Sequence, residues 1–242
     1  MSREVTFELC AETLAACVAA REGGSDRIEL CSALSEDGLT PSHALIRAAV
    51  GLGGAPVYVM LRPRAGDFVY SDGDLRLMRE DLAHARSLGV SGFVLGILKP
   101  DGRVDVGRTR ELVELAAGLE MTFHRAFDQT PSLEEALEDV IAAGCRRVLT
   151  SGGAPDVVAG AESLRRLVER ARGRIAVAAG GGLRLANAVA VARITGASHF
   201  HGSLRRKVSR AAQKVVIHSA AREEFVVEAD DVREMVRVLR EA

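Results

Sequence analysis

TFELC at residues 6–10 and RIELC at residues 27–31 are alternating runs that end in the same triplet, Glu-Leu-Cys. Period-two alternation marks a strand with two unlike faces. Val5, Phe7 and Leu9 share one face of the first run, and Thr6, Glu8 and Cys10 share the other. In the second, Ile28 and Leu30 oppose Glu29 and Cys31. An amphipathic stretch at about 11–23 separates the two runs. Strand, helix and like-patterned strand make one parallel unit.

That unit repeats along the chain. Strands are predicted at 4–10, 26–32, 56–62, 91–97, 119–125, 145–151, 174–180 and 197–202. Helical patterns lie between them at about 11–23, 41–53, 72–89, 105–118, 131–144, 155–173 and 183–196, with a last helix at 229–241. Thr40 with Pro41, and Thr130 with Pro131, read as helix starts, although Ser132 followed by Glu135 is a competing start. Glycines 89, 144 and 196 sit where helices should stop. Eight units in strict alternation predict an α/β fold, a TIM (β/α)8 barrel in a single domain over 1–242. A doubly wound open sheet is the alternative. A long, basic, irregular connection is expected at about 203–228, and its LRRKVSR run at 204–210 reads as a solvated loop.

The chain has 242 residues, enough for a large core without disulfides. A net charge of −1 and 4% aromatic residues argue against a nucleic-acid groove. No stretch approaches the ~18 apolar residues of a membrane helix. The N-terminus lacks the apolar core of a signal peptide. Cys10, Cys17, Cys31 and Cys145 show no paired spacing and read as reduced thiols of a cytoplasmic protein.

Helices outside a barrel require apolar partners, so Glu8, Cys10, Glu29 and Cys31 should face the interior, the thiols near the C-terminal rim. The same parity sends Arg62, Thr122, His124, His199 and His201 inward. Buried carboxylates need partners, and Arg62, Arg64 or His124 are the expected ones. Two thiols on adjacent strands suit a soft metal such as Cu(I), and two small core fillers are the alternative. Carboxylates nearby raise the thiols and count against the metal. RPRAGDFVYSDGD at 62–74 offers Arg64, Asp67, Tyr70 and Ser71 beside Arg62, as an anion clamp or a salt-bridged loop. HRAFD at 124–128 supplies His124, Arg125 and Asp128, with His124 as acid or base or as partner to a buried Glu. The glycine turns LTSGG, AGGGL and HGS, which include Ser151, Gly152 and Gly181, read as anion nests. Cys17 and Cys145 read as core residues, and His43, His84 and His218 receive no role.

FELC, DRIELC, GLTPS, MLRPRAGDFVYSDGD, TFHRAFD, RVLTSGG and AGGG run in order over about 6–182, and together they resemble the CutC family, named for copper homeostasis. The resemblance implies a cytoplasmic TIM barrel, a homodimer or larger homo-oligomer, with a role in Cu(I) binding or copper tolerance. It puts the thiol ligands at Cys10 and Cys31 and the polar site at Glu8, Glu29, Arg62, Arg64, Asp67, His124, Arg125, Asp128 and His201. Asp37 stands where the family often has a second Gly, and His199 is an addition. Arginines, a His and glycine nests are not what a copper carrier requires. The alternative the residues support is a metal-independent lyase or isomerase acting on a small carboxylated or phosphorylated metabolite. His124 or Glu29 would be its base and the arginines its clamps. A non-catalytic oligomeric scaffold is the third class. No organic cofactor is indicated, and neither nucleic acid nor membrane is an expected partner.

Overall fold

Each predicted apolar run carries a strand, and each strand pairs in parallel with the next. The structure is a computed structural model that describes residues 5–208 and 224–242. The strands are β1 (Thr6–Ala11), β2 (Arg27–Leu30), β3 (Val57–Met60), β4 (Gly92–Leu95), β5 (Glu120–Phe123), β6 (Arg147–Thr150), β7 (Ala176–Gly180) and β8 (His199–Gly202). They close as a barrel, with Thr6 opposite His199 and Glu8 opposite His201 at the β1–β8 seam. The helices are α1 (Leu14–Gly23), α2 (His43–Leu52), α3 (Asp72–Ser87), α4 (Val106–Leu115), α5 (Leu133–Ala142), α6 (Ala161–Ala171), α7 (Leu185–Thr195) and α8 (Ala229–Arg240). This is the TIM barrel read from the sequence. The connection after β8 is not wholly irregular: β9 (Arg206–Val208) pairs antiparallel with β10 (Glu224–Val226). The rest of that connection, with His218 and the end of the basic run, lies outside the described residues.

The main core fills the space between barrel and helices. Phe7, Leu9, Ile28, Leu30, Val59, Phe93, Phe123 and Phe200 meet Met78, Leu82, Leu137, Leu164 and Met235 there. At ~25 cal/mol per Å² of apolar surface removed from water, this layer supplies most of the driving force for folding. Inside the barrel, among the described residues, Cys10, Cys31, Tyr58, Met60 and Val94 form a small apolar cluster of their own. Gly92 makes room for it, since a Cβ there would lie 2.4 Å from Glu120 O and 2.6 Å from the Tyr58 ring.

Local chemistry sets the helix starts. Ser42 caps α2 by accepting from Leu45 N, whereas Thr40 accepts from Arg62 N at 3.0 Å. Ser132 caps α5 by accepting from Glu135 N, so the Ser132 start displaces the Thr130 one. Ser71 and Asp74 form a reciprocal capping box at α3. That half of the 62–74 stretch is thus a helix start and not a clamp. Glycines 89, 144 and 196 all take positive φ just past their helices.

Candidate functional site

A column of charged side chains occupies the barrel axis. Glu8 is fully buried, accepts from Arg27 Nε at 2.6 Å and from His201 Nδ1 at 2.9 Å, and lies 3.7 Å from Arg147 Nη2. Burial pushes its carboxyl up, but the charges of Arg147 and Arg27 and the His201 bond outweigh this and hold it well below the usual range. Arg27 also reaches Glu120 at 3.2 Å, donates to Thr122, and stacks 3.4 Å above the Tyr58 ring centroid. Arg147 contacts His199 Nδ1 at 2.9 Å. Burial and the neighbouring Arg147 and Arg27 depress His199 to about 4. The expected partners of the buried carboxylates were Arg62, Arg64 or His124, and the actual ones are Arg27, Arg147 and His201. Arg27 precedes Glu29 by one strand period, and Arg147 shares parity with Leu149 and Ser151. That signal was available, but both arginines sit at strand starts, away from the rim where loops gather.

Above Glu8 the column ends in Cys10, Glu29 and His201, whose ligand atoms all lie within 4.8 Å of one another. Cys10 Sγ donates to Glu29 Oε1 at 3.3 Å and lies 3.8 Å from Cys31 Sγ. His201 Nε2 is 3.9 Å from Glu29 Oε1, and Glu29 Oε2 is buried without a partner among the described residues. The hydrogen bond to Cys31, burial and the Glu29 charge raise the Cys10 thiol. Burial raises the Glu29 carboxyl, reinforced by Glu8 and opposed by His201. Burial pulls His201 down, yet Glu29 and hydrogen bonds to Cys10 and Glu8 keep it well above the ordinary imidazole value.

These groups floor a cavity of about 460 Å³ at the C-terminal rim, walled by Met60, Phe68, His124, Arg125, Asp128 and the loops after β7 and β8. His124 Nδ1 accepts from Ala126 N at 3.1 Å, which places the ring proton on Nε2. That nitrogen is buried and without a partner among the described residues. Burial and the Arg62 charge depress His124 to about 3, so it stands in the cavity as a neutral imidazole. Asp37, at φ 63, occupies the left-handed conformation that favours glycine.

The other candidates are placed differently. Arg62 donates to the carbonyls of Glu36, Gly38 and Gly66 and does not line the cavity. Arg64 binds Asp67 Oδ1 at 2.8 Å, Asp74 and the Val69 carbonyl, so it and Asp67 brace their own loop. The nest predicted at LTSGG is filled from within. Asp128 accepts from the backbone N–H groups of Ser151 and Gly153 and from the Thr150 hydroxyl, and Gly152 N donates to Thr150 Oγ1. Cys17 and Cys145 are core residues, raised by burial to about 11 and about 12. His43 Nδ1 and His84 Nε2 meet at 2.7 Å on the outer surface of α2 and α3.

The CutC family model matches residues 5–206. A family protein CutC of Chromobacterium violaceum is 48% identical over 205 residues, 85% of this chain and 83% of that one. One from Xylella fastidiosa is 42% identical over 235 residues, 96% of this chain and 88% of that one. A crystal structure from Streptococcus agalactiae, described as a copper homeostasis protein CutC, superposes with a TM-score of 0.78 at 33% identity, over 82% of this chain and 98% of that one. Shared sequence, shared barrel and the motifs that build its mouth make this chain a member of the CutC family.

Proposed function

We propose that the chain binds Cu(I) at the floor of the barrel mouth, through Cys10, Cys31 and His201, with Glu29 as a neighbouring negative charge. One observation carries the reading: two buried thiols lie 3.8 Å apart beside an imidazole whose Nδ1 is tied to Glu8. Two metal–thiolate bonds of about 2.3 Å at a tetrahedral or trigonal angle hold their sulfurs about 3.8–4.0 Å apart. The Nδ1 bond to Glu8 orients Nε2 toward the thiols, the carboxylate–histidine arrangement typical of metal ligands. Thiolate donors select Cu(I) over harder ions. The copper homeostasis name of the Streptococcus agalactiae relative agrees with this choice. Copper would be held here as cargo, and the chain supplies the ligands and the exclusion of water.

Bound copper must displace protons from Cys10, whose thiol the Cys31 hydrogen bond and burial raise, and from His201, which Glu29, Cys10 and Glu8 keep protonated against burial. Affinity therefore rises with pH. An anaerobic Cu(I) titration against a chelator, at pH 6 and pH 8, tests this. Tight binding that strengthens at the higher pH, and falls at least tenfold in Cys10→Ser and Cys31→Ser, is expected. Equal weak binding in all three proteins would remove the site.

A second reading has its own observation: Glu29 Oε2 and His124 Nε2, both buried and unpartnered among the described residues, belong to residues lining the same cavity. A metal-independent lyase or isomerase would use Glu29 as the proton carrier and neutral His124 as the donor to a carbonyl or hydroxyl oxygen. The test is a thermal-shift screen of a metabolite pool. A shift in the wild type that His124→Ala abolishes supports it, and no shift in the wild type counts against it.

A further inference from the structure

The cavity floor is rich in acid and thiol, but one wall carries the opposite chemistry. We propose that the loop after β7, together with Arg125, seats the phosphate monoester of a small metabolite whose other end lies against His124. The inference shares its pocket with the second reading and rests on it to that extent, but it needs no turnover.

Arg125 is held in place from one side. Its Nε donates to Asp128 Oδ2 at 2.9 Å and its Nη2 to Ser151 Oγ at 2.9 Å, which leaves Nη1 without a partner among the described residues. The guanidinium lies against Gly181, where a Cβ would come within 3.0 Å of Cζ and 3.2 Å of Nη1. Gly181 also has a φ of +99°, so both space and backbone call for glycine. Gly181, Gly182 and Leu183 lead into α7, an eleven-residue helix, and their N–H groups donate to no described residue. Such a run at a helix start is an anion seat.

The neighbouring β6 loop shows what a filled seat looks like. There the N–H groups of Ser151 and Gly153 close on the Asp128 carboxylate. The β7 loop has a similar glycine pair with no carboxylate of its own. Asp156, which touches Gly182, turns its Oδ1 to the N–H groups of Val158 and Ala159. An independent observation points to a ligand in the same cavity: His124, 5% exposed, presents an Nε2 with no partner among the described residues. Three N–H groups and a guanidinium match the three terminal oxygens of a phosphate better than the two of a carboxylate. A volume of about 460 Å³ suits a small metabolite.

The probe is glycerol 3-phosphate, with glycerate as the matched carboxylate, followed by calorimetry on the full chain without copper. Expected is binding of glycerol 3-phosphate at least tenfold tighter than glycerate, weakened at least tenfold in Arg125→Gln and less in Arg125→Lys. Circular dichroism verifies that both variants keep the barrel. Arg170→Gln, on the outer face of α6, controls for general surface charge and leaves binding unchanged. Equal affinity in wild type and Arg125→Gln, or preference for glycerate, would overturn the proposal. Glycerol 3-phosphate binding that persists where the metabolite-pool screen shows no His124-dependent shift supports the seat and sinks only the second reading.

Discussion

Glu8 is hydrogen-bonded by Arg27 and His201, faces the charge of Arg147 at 3.7 Å, and is fully buried. Its removal would strand two buried guanidiniums, and Arg147 already has Nε and Nη2 without hydrogen-bond partners among the described residues. Breaking such a network costs about 3–5 kcal/mol. Glu8→Gln is therefore expected to lower unfolding free energy by about that much in urea titration, and a loss under ~1 kcal/mol would show the column to be dispensable. At this scale the sequence was partly readable. Strand parity sufficed to turn Glu8, Cys10 and Glu29 inward, because it needs only the apolar face of β1 and β2. It did not suffice for Arg62, a long side chain at the rim that turns aside to three loop carbonyls. Nor does any local pattern say that Asp128 fills the LTSGG turn, since that contact joins two loops far apart in the chain.

Between strands, register decides what the thiols can do. Cys10 pairs with Glu29, so Cys31 sits two positions farther along β2's direction. A strand spacing of about 4.8 Å and a rise of about 3.3 Å per residue put the two Cα atoms about 8 Å apart. That exceeds the reach of a disulfide, although the sulfurs are in contact. Native protein treated with diamide is thus expected to keep Cys10 and Cys31 unlinked, as peptide mass spectrometry after alkylation will show. A linked peptide pair would show that the register yields. Element order and type were legible around the barrel, since eight apolar runs and their intervening helices need no tertiary information, but the short β9–β10 pair was not, having been read as irregular chain. Helix starts were less so. Thr40 and Ser42 are equally good caps by residue type, and the Arg62 backbone decides between them by engaging Thr40.

For the whole molecule, two buried imidazoles set the acid limit. His124 and His199 are held to about 3 and about 4, while an unfolded chain protonates each near 6.5. Below that value the unfolded state binds more protons, so stability falls as pH drops, by about 1.4 kcal/mol per pH unit for each site. Glu8, depressed, contributes stability that persists above its ordinary value of 4.5 and is lost only below it. His201, raised, contributes fully below 6.5 and loses its contribution as pH climbs through its folded value. The maximum should lie near pH 6.5. Glu29, raised by burial, opposes the two imidazoles above 4.5 and makes the acid side shallower than their sum. Urea midpoints from pH 4.5 to 8 will show the maximum, and His124→Gln should reduce the acid-side slope by about 1.4 kcal/mol per pH unit. An unchanged slope in that variant would mean His124 is not held neutral. The same column has a consequence for traffic. Arg27, Tyr58 and Arg147 plug the N-terminal end of the barrel, so among the described residues the well is closed on that side. Whatever occupies the floor enters and leaves on the C-terminal side. Were copper passed on from this floor, the exchange would take place at the rim where the loops gather and not along the barrel axis.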